Sequence, residues 1–342
     1  MGFAAESRLK EYMTKFRAAV IGLGQAGSRF DEENRGACWS HVGAYLELNN
    51  DFELVAGIDP AEDNRKKFEL RCPGIAVLDN LDLLQEFKPD VVSIATPHHV
   101  RLSVFESLLS TTSKPKLIIC EKPLSSDASE RKKIVELCEK NGVHLLIHYN
   151  RRYYKIYQKL FYEIKNGKLG KLTSVTIRCA NRWISIGSHA LDLLFYVASE
   201  LPEKWTAFEI PALFERGEPA FDFVCQFPSG FPGRISTQGF AHQGIFEVDV
   251  VGELGRMTVT ENGRWLDFTP LEPSKTLKGY LVPGETKRIY ESELVESSFL
   301  SVVTEASKIL TGQCESPTLT GRMAMYSENI LSEVLSMVSQ KK

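Results

Sequence analysis

Residues Arg17–Gly27, RAAVIGLGQAG, run a short apolar strand straight into Gly-x-Gly-x-x-Gly. Gly22 permits the tight turn from strand to helix. Gly24 leaves the backbone bare for a pyrophosphate, and Gly27 lets the next helix lie close to the strand. With Gln25 and Ala26 between them, these glycines open a helical turn whose N–H groups and positive end suit phosphates. A second apolar segment, Phe52–Ile58, ends at Asp59. A carboxylate there accepts the ribose hydroxyls of a dinucleotide and repels a 2′-phosphate. Pro60 follows, with no Arg or Lys immediately beside it, so the residues favour NAD over NADP. Asp59 lies 32 residues beyond Gly27, where about 20 is usual. The polar stretch Ser28–His41 therefore reads as an inserted loop ahead of a helix at His41–Leu48.

The first half of the chain alternates two patterns. Apolar runs occur at Ala18–Gly22, Phe52–Ile58, Val91–Thr96, Leu117–Glu121 and Val143–Tyr149. Helical patterns fall between them at Ala61–Leu70, Leu81–Phe87, Leu102–Leu109 and Ser129–Asn141. Alternation of this kind predicts βαβ units and a parallel sheet covered on both faces. A helix is expected at Arg151–Lys165, ended by Asn166-Gly167. Strands separated by short turns follow at Lys171–Ala180, Phe221–Phe227, Arg234–Phe240, Phe246–Gly252 and Arg256–Thr260, with a helix at Ser188–Ser199. They predict an antiparallel sheet. Two helices, Leu294–Leu310 and Thr320–Ser339, close the chain. The expected fold is α/β: a tail at 1–15, a Rossmann domain at 16–149, and a substrate and oligomerisation domain with an open, mostly antiparallel sheet at 150–342.

Composition excludes several classes of function. At 342 residues, 43% hydrophobic and 25% charged, the chain suits two globular domains. No apolar run reaches the ~20 residues of a membrane span, and the first residues, MGFAAESRLKEYMTK, lack an apolar export core. A net charge of −3 without a long basic run argues against nucleic acid. The seven cysteines are scattered with no C-x-x-C spacing. They read as small core residues in a reducing cytoplasm, with no structural metal.

Three more segments sharpen the reading. Ala95-Thr96-Pro97-His98-His99 ends the third clear strand, and Cys120-Glu121-Lys122-Pro123-Leu124 ends the fourth. Gly187-Ser188-His189-Ala190-Leu191-Asp192 opens the helix of the second half. Together with the glycine motif they resemble the Gfo/Idh/MocA oxidoreductases, over about residues 16–340. The resemblance implies hydride transfer between a nicotinamide and a sugar or cyclitol carbon, and a dimer or tetramer formed through the open sheet. Apolar residues such as Phe223, Val248 and Val250 would need that cover. It also implies that the last helix packs back on the Rossmann half.

The resemblance assigns roles to particular residues. Lys122 and His189 become the catalytic pair, facing one pocket. A partly desolvated Lys beside a cationic nicotinamide favours its neutral form and handles a hydroxyl proton, while an imidazole shuttles protons near neutral pH. Pro123 sets the backbone that aims Lys122, with a cis peptide possible there. Thr96, Pro97, His98 and Glu121 join the glycines and Asp59 around the cofactor. Asp192 reads as structural. Asn150, Arg151, Tyr153, Arg182, Ser185 and His189 line the substrate.

One position departs from the pattern. Four residues before His189 the redox members typically carry Asp, and here stands Ser185. Serine hydrogen-bonds a hydroxyl but holds no charge at neutral pH. Tyr153 or Tyr154 are possible substitutes, and Ser185→Asp is expected to be tolerated at a solvated pocket. Arg151, Arg152, Arg178 and Arg182 suggest a uronic acid, sugar phosphate or nucleotide sugar. The principal expectation is an NAD-dependent sugar dehydrogenase. The other is an NAD- and sugar-binding sensor without redox activity.

Overall fold

The computed structural model describes residues 14–33, 38–214, 216–292, 297–314 and 318–339. The expected N-terminal tail and the start of the helix expected from Leu294 fall largely outside them. The chain forms two compact units. One comprises the residues up to His148 together with Phe299–Gly321, and the other runs from Tyr149 to Ser298 and onward from Arg322. The segment returning to the first unit is therefore the penultimate helix, whereas the last helix is counted with the second.

The first unit holds strands β1 (Phe16–Ile21), β2 (Phe52–Ile58), β3 (Ala76–Leu78), β4 (Val91–Ile94), β5 (Leu117–Glu121) and β6 (His144–His148). All pair in parallel in the order β3-β2-β1-β4-β5-β6. This is the doubly wound order of dinucleotide-binding sheets, whose ligand crevice opens where the order reverses, between β1 and β4. Val91, Val92, Ser93 and Ile94 are fully buried, as expected of a central strand covered on both faces. The covering helices include α1 (His41–Glu47), α2 (Glu62–Arg71), α3 (Arg101–Ser110) and α4 (Ala128–Lys140). The three-residue β3 gave too short a run to read from sequence. Leu81–Phe87 winds as a 3₁₀ helix instead of an α-helix, capped by Asn80 and stopped by a left-handed Lys88.

The stretch read as an inserted loop begins as helical turns, and its residues 34–37 lie outside the described residues. The chain makes a wide π turn at Gln25–Arg29 and a short helical turn at Phe30–Glu33 before α1. Asp31 fastens it, accepting from Arg71 Nη2 at 2.7 Å and from Trp39 N and the Ser40 hydroxyl. Ser40 in turn caps α1 by accepting from Gly43 N at 3.0 Å.

The second unit begins with a 3₁₀ turn at Asn150–Tyr153 and α5 (Lys155–Lys165). Its sheet comprises β7 (Leu172–Cys179), β8 (Lys204–Glu209), β9 (Phe221–Gln226), β10 (Pro232–Thr237), β11 (Phe246–Gly252), β12 (Gly255–Thr260), β13 (Trp265–Pro273), β14 (Leu281–Pro283) and β15 (Lys287–Glu291). The order is β14-β13-β12-β11-β7-β10-β9-β8, with β15 also on β13. Every pair is antiparallel except β10 with β7. The helix α6 (Ser188–Ala198) is almost wholly buried within this unit. The remaining helices are α7 (Ser298–Leu310), at the start of the returning segment, and α8 (Gly321–Ser339).

Burial alternates strictly along β11 and β9. Phe223, Val248 and Val250 are on the inner face, at 0%, 1% and 0% exposure, inside the same core as Leu191, Leu194 and Phe195 of α6. They need no second subunit to cover them, which corrects the reason given for an oligomer. The opposite face carries Arg178, Asp249 and Arg256, with Arg256 forked onto Asp249 at 2.8 and 2.6 Å. Strand alternation alone does not say which parity faces a helix.

Asp192 is the structural residue it was expected to be. Its carboxylate lies against Arg152, which donates from Nε at 2.7 Å and Nη2 at 2.9 Å. Both residues are 1% exposed. Removing one member of a buried pair strands the other charge, at a cost of about 3–5 kcal/mol. Asp192→Ala should therefore lower the melting temperature by roughly 6–20 °C, at about 2–4 °C per kcal/mol. A shift within a degree or two, read by circular dichroism, would contradict this role.

Candidate cofactor and substrate sites

The first unit builds its site at the C-terminal ends of β1, β2, β4 and β5. Gly22 takes φ +90° and its Cα faces Ala95 so closely that a Cβ would lie 2.8 Å from the Ala95 carbonyl carbon. A Cβ on Gly27 would lie 1.8 Å from the Gly22 oxygen. These two glycines are required by packing. Gly24 is different: among the described residues a Cβ there would meet nothing within 4 Å. The backbone thus presents an open cradle at the one motif position where a phosphate needs room, and the residues present fit a dinucleotide. The Thr96 hydroxyl, at the neighbouring strand end, is buried without a hydrogen-bond partner. Pro97 is exposed and His98 half-buried. Burial lowers the His98 pKa, with Arg101 and His99 adding to the effect.

Asp59 is 6% exposed. Its Oδ2 accepts from Leu23 N at 2.8 Å and Asn64 Nδ2 at 3.0 Å, and its Oδ1 from Ala61 N at 2.8 Å. It therefore fastens the glycine loop to the end of β2 and is fixed in orientation. Arg65, six residues on, donates from Nη1 to the Asp59 and Pro60 carbonyls at 2.9 and 2.8 Å. The adjacent sequence showed no such cation, because a helical turn brings it back.

Arg101 is a residue that the sequence reading missed. It is 3% exposed and donates from Nε and Nη2 to the Thr96 carbonyl at 3.1 and 2.7 Å. Its Nη1 donates to the Glu121 and Pro123 carbonyls. One guanidinium thus ties the Thr96-Pro97 turn to the Glu121-Lys122-Pro123 turn. No motif marks it; the sequence shows only an arginine at the start of a mixed helix, RLSVFESLLS. The Lys122–Pro123 peptide is cis, and Lys122 itself is half-buried.

Glu121 sits between two histidines. His148 Nδ1 donates to its Oε1 at 2.7 Å, and His41 Nε2 to the same oxygen at 3.2 Å. His41 and His148 both pack edge-on against Phe299. The three ligand-type atoms lie within 4.8 Å of one another, a grouping not anticipated by the sequence reading, which expected no metal. Hydrogen bonding alone accounts for the two short contacts, since an ionised carboxylate only accepts. Burial pushes Glu121 up, but His148 and then His41 outweigh it and hold the carboxyl well below its usual range. Burial lowers His41, against the pull of Glu121.

The second unit carries the remaining expected site residues. His189, at the start of α6, is 9% exposed, with the Tyr149 ring edge-on at 5.5 Å. Tyr149 donates to Glu328 at 3.2 Å. Asn150 is half-buried, its Oδ1 without a partner. Tyr153 is 1% exposed and Tyr154 half-buried. Arg151 stacks its guanidinium 3.6 Å over Phe246. Arg178 pairs with Asp249 at 3.7 Å, and Arg182 with Glu218 at 2.7 Å. Three of the four arginines read as anion binders therefore meet carboxylates of their own unit.

Ser185 is not at an open solvated wall. Its Oγ donates to Glu218 Oε1 at 2.6 Å and its N–H to Glu218 Oε2 at 2.8 Å. The expectation that Ser185→Asp is readily tolerated is corrected: the new acid would meet Glu218.

Residues 16–149 match the oxidoreductase family model described as an NAD-binding Rossmann fold, GFO_IDH_MocA. Residues 16–149 are thus similar to the NAD-binding Rossmann domain of the Gfo/Idh/MocA oxidoreductases. Among Gfo/Idh/MocA relatives, the chain is 26% identical over 243 residues to the rhizopine catabolism protein MocA of Rhizobium meliloti, covering 66% of this chain and 71% of that one. It is 25% identical over 263 residues to a myo-inositol 2-dehydrogenase of Thermotoga maritima, covering 70% and 74%. The fold of the whole chain is shared with the transcriptional regulator Gal80p of Kluyveromyces lactis, at a TM-score of 0.76 and 12% identity over 100% and 97% of the two chains. Among the described residues no helix is long and apolar enough to cross a membrane.

The depressed Glu121 pKa has a sign. A carboxyl whose folded pKa lies below its unfolded value of about 4.3 adds stability above that pH, lost as pH falls through the folded pKa. Glu121→Gln should be less stable than the unmodified protein at pH 7, and the gap should narrow on acidification below about pH 4. Denaturant melts across that range check this; a gap independent of pH would contradict it.

Proposed function

We propose that the chain is an NAD-dependent dehydrogenase acting on a hydroxyl-bearing carbon of a sugar or cyclitol. The observation that carries this reading is the open cradle at Gly24, beside an Asp59 fixed by three donors. A nicotinamide, when bound, accepts the hydride from the alcohol carbon or returns it to the ketone. Gly24, with Gln25 and Ala26 beside it, would hold the pyrophosphate, Gly22 and Gly27 would let the turn pack closely enough to present them, and Asp59 would hold the ribose. Thr96, Pro97, His98 and Glu121 would complete that wall. NAD is preferred to NADP because the Asp59 carboxylate repels a 2′-phosphate.

Lys122 Nζ takes the hydroxyl proton in oxidation and gives it back in reduction. In the second unit, His189 would handle a substrate proton and Asn150, Arg151 and Tyr153 would contact the substrate, with Arg182 and Ser185 engaged on Glu218. Arg101 keeps the Lys122 turn in register with Thr96. The arginines support an uncharged polyol over a sugar acid or phosphate. Arg152, Arg178 and Arg182 already face carboxylates, which leaves Arg151 as the cation for an anionic group. The name of the myo-inositol 2-dehydrogenase relative agrees with this class.

Ser185, standing where an acid is usual, favours a second reading, a sensor that binds NAD and a sugar without turnover. One assay separates the two. Nicotinamide absorbance is followed with NAD⁺ and NADP⁺ against a panel of cyclitols, neutral sugars, uronic acids and nucleotide sugars. Turnover of a neutral member with NAD⁺ is expected, and Lys122→Ala should lose at least ~100-fold in kcat, the lower end for a general acid–base group. Stoichiometric binding of NADH and a sugar with no turnover would replace the enzyme by the sensor.

A further inference from the structure

Glu218 lies on the segment between β8 and β9 and belongs to none of the motifs. Its carboxylate is 9% exposed and is held with unusual care. Oε1 accepts from Ser185 Oγ at 2.6 Å, Arg182 Nη2 at 2.7 Å and Arg182 Nε at 3.1 Å. Oε2 accepts from Ser185 N at 2.8 Å. A carboxylate offers about four acceptor sites, two on each oxygen. Among the described residues three donors fall on one oxygen and one on the other, so Oε2 keeps acceptor capacity.

The backbone on both sides is bent to make this contact. Arg182 takes φ +71° and Arg216 φ +50°, left-handed conformations that cost a residue with a Cβ about 1–3 kcal/mol and concentrate at functional sites. Gly217, between Arg216 and Glu218, is also left-handed at φ +78°. On the other side Trp183 is fully buried, its Nε1 donating to Thr237 Oγ1 at 3.0 Å. That anchors the π turn Trp183–Gly187, which runs directly into α6. Ser185 stands in the π turn four residues before His189, so Glu218 is held at the entrance to the helix that carries His189.

We propose that Glu218 is the substrate-contacting carboxylate of this site, supplied through space at the position where the sequence carries Ser185, and that its Oε2 accepts a hydroxyl of a polyol substrate. This rests on the dehydrogenase reading above. Ser185 and Arg182 then orient Glu218 and do not meet substrate themselves. The Arg182 charge is spent within the trio, which agrees with a neutral ligand. Burial raises the Glu218 pKa, but the Ser185 and Arg182 bonds outweigh it and hold the group below its usual value, so it accepts and does not donate at neutral pH.

A charge swap tests this. The unmodified protein, Glu218→Gln, Ser185→Asp and the double variant Ser185→Asp/Glu218→Gln are each assayed with NAD⁺ and myo-inositol, D-glucose and the other neutral sugars of the panel. Melting temperature and NADH affinity, a property of the first unit, are measured alongside as controls on folding. Glu218→Gln should lose about 30-fold or more in kcat/KM, the worth of a hydrogen bond to a charged group. Ser185→Asp, which sets two carboxylates together, should lose at least about tenfold. The double variant, with one carboxylate again, should recover to well above either single variant. A merely structural Glu218 would give no such rescue. Additive losses in the double variant, or a Glu218→Gln enzyme within threefold of the original, would overturn the assignment while leaving the dehydrogenase standing. Absence of any polyol binding or turnover in the unmodified protein would overturn both.

Discussion

The closeness of two backbones at Gly22 and Gly27 is the constraint on which the first unit depends. The helical turn after β1 crosses the strand end so tightly that one added carbon would overlap the Gly22 carbonyl. That approach puts Gly22 beside Ala95 across the β1–β4 reversal, where a doubly wound sheet opens its crevice. Leu23 N then falls within reach of Asp59, and Thr96 within reach of Arg101. Arg101 passes the same register on to Glu121 and Pro123, so the lysine turn is set by interactions that begin at the glycines. Gly24 is spared this crowding. Two glycines are there for packing and one for a ligand.

Much of this was legible because it is local. The strand–glycine–helix run, the apolar β2 ending at Asp59 and the Glu121-Lys122-Pro123 turn are each written in consecutive residues. The alternation of strands and helices fixed the parallel sheet. What escaped reading was made by contacts across long stretches of chain. His41, Glu121 and His148 come from three elements of the first unit, and nothing in any one of them announces the others. Arg101 looks like a solvated helix residue until the two turns close over it. Arg65 is absent from the neighbourhood of Asp59 in sequence and present in space.

The second unit shows the same limit more sharply. Strand alternation gave its character but not its parity, so Phe223, Val248 and Val250 read as surface when they are core. The edge strand β8, with no buried residue along KWTAFE, and the strands β13 to β15, broken by prolines and turns, left no clean pattern. Ser185 read as a lost acid because the sequence showed only the helix. The carboxylate arrives from a segment 33 residues further on, Glu218, across a turn that takes two left-handed residues to form. A substitution that removes a charge in sequence need not remove it from a site.

The central claim is that Gly24 leaves its space for a dinucleotide phosphate, and calorimetry on Gly24→Val tests it most directly. Nothing among the described residues lies within 4 Å of the added Cβ position, so the variant should fold and melt like the original. The account predicts that the unmodified protein binds NADH and that Gly24→Val binds it at least about tenfold more weakly, since a side chain there meets the pyrophosphate. Equal NADH affinity in a fully folded Gly24→Val protein would contradict it.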